Sequence, residues 1–291
     1  MSSRSIALEE NKQGRQGDSL DRHAKRSDAL ARSEHTHRDG RPVVDWLAVR
    51  LAQIGIVAIV LCAWQFAPPA LLDDTLTSRP TLIATQIFKW LTSGVLQQEA
   101  WFTLSAVIAG LLAGGLAGIG GGMLAGTVPT LGRLIEPPVK FLFALPKIAF
   151  VPLFIVWFGI GLFQETVFTA MVVFFFFFYS SFNGARSVPA ALSNMLILAG
   201  GSRWQRLRLL YLPASVGWLL AGLRLAIPYA FVSAVSAEVI SSQHGLGNLV
   251  KSSASVMDPA GMFAAMFFLL LVSVSVSGSV LFLGGRSRWS V

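Results

Sequence analysis

The sequence predicts an all-α membrane protein with six transmembrane helices and both chain termini on the cytoplasmic side. Three observations carry that expectation. Of the 291 residues, 54% are hydrophobic and only 13% charged, and the mean hydropathy is +0.62. Charge this sparse cannot cover a water-soluble surface, so apolar stretches must face lipid. Six apolar runs follow one another, most of them reaching the roughly 20 residues that a bilayer requires. The basic residues are also segregated. The first fifty residues hold ten Lys and Arg, the 129–140 loop two, the 183–215 loop four and the closing "RSRWSV" two. The opposite side receives only Arg79, Lys89 and Lys251. Positive charge stays on the cytoplasmic face, which orients the chain N-in and C-in.

Residues 1–45 are polar, mixed in charge and nearly free of aromatics, and read as a disordered basic cytoplasmic tail. The "HTH" at 35–37, with Glu34 and Asp39, offers metal donors, but the stretch reads as a solvated tail and no metal site is expected. The net charge of +8 does not indicate a nucleic-acid partner. A basic tail beside membrane spans fits an anionic membrane surface better. No secretory signal is expected, because the first apolar stretch begins only near Leu51.

The first span covers about Trp46–Phe66, with an outer linker to residue 75. It contains the single cysteine, Cys62, so neither a disulfide framework nor a CxxC metal pattern is present. Residues 76–100 interleave polar and apolar residues at helical spacing, as in an amphipathic segment at the interface. The core then runs over 101–283, with spans at about Trp101–Val128, Phe141–Gly161, Thr166–Phe182, Val216–Ile240 and Met262–Leu283. Residues 284–291 form a short cytoplasmic tail.

Span two carries glycine at 110, 114, 118, 122 and 126. Each i,i+4 step turns only about 40° around a helix, so these glycines form one groove without side chains. In lipid such a groove lets another helix approach closely. A smooth wall beside a moving pathway is the alternative, and the two are compatible. The "FFFFF" at 174–178 points around the whole helix, and lipid-facing bulk is its simplest role.

Three titratable groups are candidates for a place deep in the bundle. Lys147, early in span three, is expected to snorkel to the cytoplasmic interface. Glu238, near the outer end of span five, is expected to reach headgroups. Arg224 lies about 16 Å past Pro213 if the chain is helical, a depth that is costly unless it is paired or wetted. Pro228 removes the donor that the carbonyl of residue 224 would accept and kinks the helix. Arg224, Pro228 and Glu238 are therefore candidate pathway residues. Capping carbonyls of a neighbouring helix is an equally simple role for Arg224.

The chain has no GxxxxGK[ST], HExxH or GxSxG, and few titratable groups in its spans. A membrane-embedded enzyme is therefore disfavoured. A stand-alone secondary transporter would show mid-membrane carboxylates and an inverted repeat, and neither is clear. What stands out is the cytoplasmic segment "GGSRWQRLRLLYLPAS", Gly200–Ser215. If helical, it places Trp204, Leu207 and Tyr211 on one stripe flanked by Arg203 and Arg208, suited to a helix lying on the membrane surface. Gly200 and Gly201 allow a sharp turn before it, and Leu212-Pro213 are expected to stop it and start span five.

Gly200 followed after nine residues by "LYLP" (Leu210 to Pro213) resembles the EAA loop of ABC importer permeases. "LPKIAFVPLFIVWFGIG" (145–161), "NGARSVP" (183–189), "GSRWQRLRLLYLPAS" (201–215), "AGLRLAIPYAFVSAVSAEVI" (221–240) and "GLGNLV" (245–250) resemble the nitrate/sulfonate/taurine branch. The resemblance covers most of residues 76–283. It implies a type I ABC importer permease fold and an ATPase-coupling loop of Asn194, Met195, Leu196, Gly200, Ser202, Arg203, Trp204, Leu210, Leu212 and Pro213. The implied partners are a pair of ATPase subunits, a periplasmic or lipid-anchored solute-binding protein and a second permease subunit forming a homodimer. No cofactor is implied for this chain, since ATP and Mg belong to the ATPase. The implied solutes are small anions of the sulfonate, taurine or nitrate type, with a pyrimidine or thiamine precursor or another small organic solute as the alternative. Two departures stand out. Asn194-Met195-Leu196 replaces the E-A-A triplet, removing its glutamate, and "TLSA" stands where an arginine often follows "SL".

Overall fold

A computed structural model describes residues 43–68, 77–241 and 243–285. The expected N-terminal tail up to residue 42, with its "HTH" stretch, and the closing "RSRWSV" lie outside the described residues. Helix α1, Val43–Phe66, belongs up to Trp64 to a first unit. It begins three residues before the expected start of span one.

From Gln65 onward the chain forms a second compact unit, and among its described residues no strand occurs. Helix α2, Pro80–Thr92, opens with proline in its first turn, where the missing N–H costs nothing. Gly94, at φ +80°, supplies the left-handed turn into helix α3, Val95–Thr127. The expected amphipathic segment 76–100 therefore ends at Thr92, and span two starts six residues earlier than read from hydropathy.

Span three departs most from expectation. Helix α4, Pro129–Ala144, is followed by a 3₁₀ turn, Lys147–Phe150, and helix α5, Val151–Phe158. The two arms are bent by 89° rather than forming one helix over 141–161. Pro146 is the physical reason. It lacks a donor and forces Leu145 into an extended conformation, observed at φ −68°, ψ 146°.

Helix α6 spans Leu162–Arg186 and is followed by a short helix α7, Ala190–Leu198. Helix α8, Arg203–Arg206, passes through a π turn at Leu207–Tyr211 into helix α9, Leu212–Ser241. Helices α10, Leu246–Ser255, and α11, Pro259–Gly285, complete the described chain. Five helical runs are long and apolar enough to cross a membrane, or six if the bent α4–α5 pair is one span.

Helix α6 is the centre of the unit, with α3 on one side and α9 on the other. The glycine groove of α3 faces it. An added Cβ at Gly110 would lie 2.7 Å from Thr169 Cβ, and at Gly118 it would lie 2.5 Å from the Phe174 carbonyl oxygen. At Gly114 and Gly122 it would strike the carbonyls of Ala170 and Phe178, and at Gly126 it would reach Ala185. With no aqueous hydrophobic drive between helices in lipid, this backbone-to-backbone approach supplies dispersion contact instead. The phenylalanine run is not mainly lipid-facing bulk. Phe175, Phe177 and Phe178 are buried, because a central helix meets neighbours on most of its circumference.

Candidate coupling face and translocation path

The independent short helix of the 183–215 loop is α7, which precedes Gly200, and not the cationic stretch after it. None of the nine residues of α7 is buried, and Leu192, Met195, Ile197 and Leu198 are all exposed. It carries the expected coupling residues Asn194, Met195 and Leu196. Gly200 ends it at φ +79°, donating its N–H to Ile197 O at 3.0 Å, while Gly201 N–H reaches Leu196 O at 2.8 Å. These paired bonds and the left-handed glycine form a Schellman cap, so the stop is specified locally.

Ser202 then starts the next helix with a capping box. Its Oγ accepts the Gln205 N–H at 3.2 Å, and its own N–H donates to Gln205 Oε1 at 2.7 Å. Arg203 and exposed Trp204 occupy the first turn. The expected stop at Leu212-Pro213 does not occur, and the run from Arg203 to Ser241 is continuous over 39 residues. The π turn over Leu207–Tyr211, which includes Leu210, lies immediately before Leu212 and Pro213. Proline sits at the second position of α9, where a wider turn makes room for its ring and needs no donor from it.

Tyr211 in that turn ties the run to α7, its hydroxyl lying 3.2 Å from Ser193 Oγ. Beneath α7 is a cavity of about 470 Å³ whose lining includes Asn194, Arg133, Arg186, Arg206 and Tyr211. Glu136 binds one of these arginines, with Oε2 2.8 Å from Arg186 Nη1. The other flank of Glu136 is held by Lys140.

The candidate pathway residues do not form one group. Arg224 and Pro228 project from the exposed side of α9, together with Leu225, Tyr229 and Val232. Glu238, further along the same helix, is fully buried, so it does not reach headgroups. Its Oε2 accepts the Gly247 N–H at 2.7 Å. The preceding amides are taken from α3: Thr103 Oγ1 accepts Leu246 N–H at 2.9 Å, and Glu99 Oε2 accepts Gly245 N–H. Three side chains from two helices thus satisfy the first amides of α10, which no intrahelical carbonyl can reach. Two of the three are carboxylates, the charge that a helix N-terminus favours.

Lys147 is not part of a continuous span-three helix. It sits at the α4–α5 break, and its Nζ donates to Phe143 O at 2.7 Å. The ammonium lies 4.3 Å from the Phe143 ring centroid and 5.5 Å from that of Phe175, the middle of α6. Because α6 spans about 37 Å, that level is about 18 Å from either end. A lysine facing hydrocarbon there would cost about 3 kcal/mol or more, so this face meets water or protein.

The family of binding-protein-dependent transport system inner membrane components matches residues 110–289. The chain belongs to this family. The permease is similar to the riboflavin transport system permease protein RibX of Chloroflexus aurantiacus, with 29% identity over 68% of this chain and 74% of the relative. It is also similar to the taurine transport system permease protein TauC of Escherichia coli, at 27% identity over 76% of this chain and 82% of the relative. Among solved structures, the MetNI methionine ABC transporter in an inward-facing conformation matches with a TM-score of 0.55 at 20% identity. That match covers 64% of this chain and 91% of the MetNI chain, and it supports the type I importer fold. The protein is thus a multi-pass membrane permease of an ABC importer.

Sequence reasoning about this permease missed Glu99, Thr103, Ser193 and the packing of Lys147 beside the middle of α6. For Lys147 a signal was present, since the "LPK" proline predicts a break at that position. The other three gain their roles only from residues 18 to 146 positions away.

Proposed function

We propose that the permease forms the path for a small anionic solute of the sulfonate, taurine or nitrate type, driven by separate ATPase subunits that dock on α7. A solute-binding protein delivers the solute from outside, and a second copy of the permease completes the path. The chain is oriented N-in and C-in, which puts α7 on the cytoplasmic side with the ATPase, and ATP and its magnesium ion belong to that subunit. The observation that supports this reading best is α7 itself. It is a helix with no buried residue, four exposed apolar side chains and a locally specified end, bonded through Ser193 and Tyr211 to the base of a 39-residue run. An apolar helix without a partner of its own is a surface for another protein.

The solute is the finer part of the proposal. The two relatives differ in the cargo their names state, riboflavin in one and taurine in the other. A cation at mid-membrane level favours the anion. Single-cysteine variants of Met195 and Leu198, cross-linked to the cognate ATPase in membranes, test the docking. Efficient cross-links at α7 with none at Trp101, placed at the other end of the bundle, are expected. The reverse pattern would refute the assignment.

A further inference from the structure

The break between α4 and α5 places a cation where a continuous span would have none. Lys147 Nζ donates to the Phe143 carbonyl and lies over the Phe143 and Phe175 rings, and no acidic side chain pairs with it among the described residues. A charged group at mid-membrane level that faces neither lipid nor a counter-ion marks a path for something else. The surroundings indicate what that is. Phe143 packs edge-on against Phe176, ring centroids 5.7 Å apart, and Phe176 lies 4.7 Å from Tyr229 of α9. The ammonium therefore stands at one end of a continuous aromatic wall, whose far end, Tyr229, is half exposed.

We propose that Lys147, Phe143, Phe176 and Tyr229 form a filter in the translocation path that accepts a compact anion, its sulfonate or carboxylate against the ammonium and its apolar body along the rings. This rests on the permease reading above and places charge selection at the helix break. The ammonium supplies a point charge with rotatable donors, so it accepts anions of different shape and leaves finer choice to other parts of the importer. Exposed rings favour passage of organic anions over strongly hydrated inorganic ones.

The test uses the full chain assembled with its ATPase in nanodiscs. Cys62 is the only cysteine, so Cys62→Ser with Tyr229→Cys leaves one reporter thiol. Its rates of modification by anionic sulfonatoethyl and cationic trimethylammoniumethyl methanethiosulfonate are measured with and without ATP, each normalised to a free thiol. The anionic reagent is expected to react several-fold faster in at least one nucleotide state. That preference should collapse on adding Lys147→Gln and persist with Lys147→Arg. A reporter closed to both reagents in every state, or an anion preference unchanged by Lys147→Gln, overturns the filter while leaving the permease reading intact. Failure of the ATPase to co-purify with the unmodified chain would overturn both.

Discussion

Glu238 Oε2 accepts the backbone N–H of Gly247 at 2.7 Å, joining the last turn of α9 to the first turn of α10. An added Cβ at Gly247 would lie 2.8 Å from Glu238 Cβ and from the Val235 carbonyl oxygen, so the two elements touch backbone to backbone. Glu238→Ala is expected to leave a buried N–H unpaired and a void beside it, lowering stability by about 2–4 kcal/mol. Glu238→Gln, which keeps an acceptor of the same shape, should cost clearly less. Thermal unfolding in nanodiscs separates the two. Equal losses would mean that the carboxylate charge, not the hydrogen bond, holds the joint.

Gly118→Leu should prevent normal assembly of α3 on α6, because the clash is with the backbone of Phe174, which cannot rotate away. A loss of at least the 1–3 kcal/mol typical of overpacking is expected. Gly120→Ala is the control, since nothing lies within 4 Å of its added Cβ. It should leave the size-exclusion profile and melting temperature unchanged or slightly improved, as alanine favours helix. Matching profiles for both variants would contradict the close-packed groove.

Gly200→Val meets no steric obstacle, since the space around an added Cβ is empty, and the whole penalty comes from φ +79°. About 1–2 kcal/mol of local strain is expected, enough to fray the end of α7 with the spans still inserted. Pull-down of the ATPase should weaken with Gly200→Val and recover largely with Gly200→Asn, which tolerates this conformation. Equal docking by both variants would separate the cap from coupling.

Asn194→Glu restores the acid of the E-A-A pattern at a residue lining the cavity with Arg133, Arg186 and Arg206. A carboxylate there gains charge-assisted partners, so docking of the ATPase should be kept or strengthened. Loss of docking would show that the asparagine is required as it stands.

Arg224→Leu should reduce uptake while the ATPase stays bound, because Arg224 lies on the exposed side of α9 well beyond α7. Uptake into proteoliposomes and co-purification are read on the same preparation. Loss of both together would assign Arg224 a structural role.

Much of this architecture was legible because hydropathy is a local property. The spans, the glycine groove and the existence of a short helical element between spans four and five all follow from residues near each other in sequence. What failed required knowing what lies across a contact. Glu238 reads as a headgroup-facing acid until the amides of residues 245–247 are brought beneath it. The cationic stretch at Arg203–Arg208 reads as a free surface helix, but the π turn fuses it to α9 and leaves the less conspicuous α7 outside. The break at Lys147 went unread because a window average cannot see that Pro146 ends the helix before it.

The fused run from Arg203 to Ser241 also has a mechanical consequence. Its 39 residues extend about 58 Å, nearly twice the thickness of a hydrocarbon core. A tilt of about 5° about the Tyr211 contact with α7 would sweep Glu238, about 40 Å further along the run, through about 3.5 Å and carry the joined α10 with it. Leverage of that size converts a subtle motion at one membrane surface into a side-chain-scale displacement at the other.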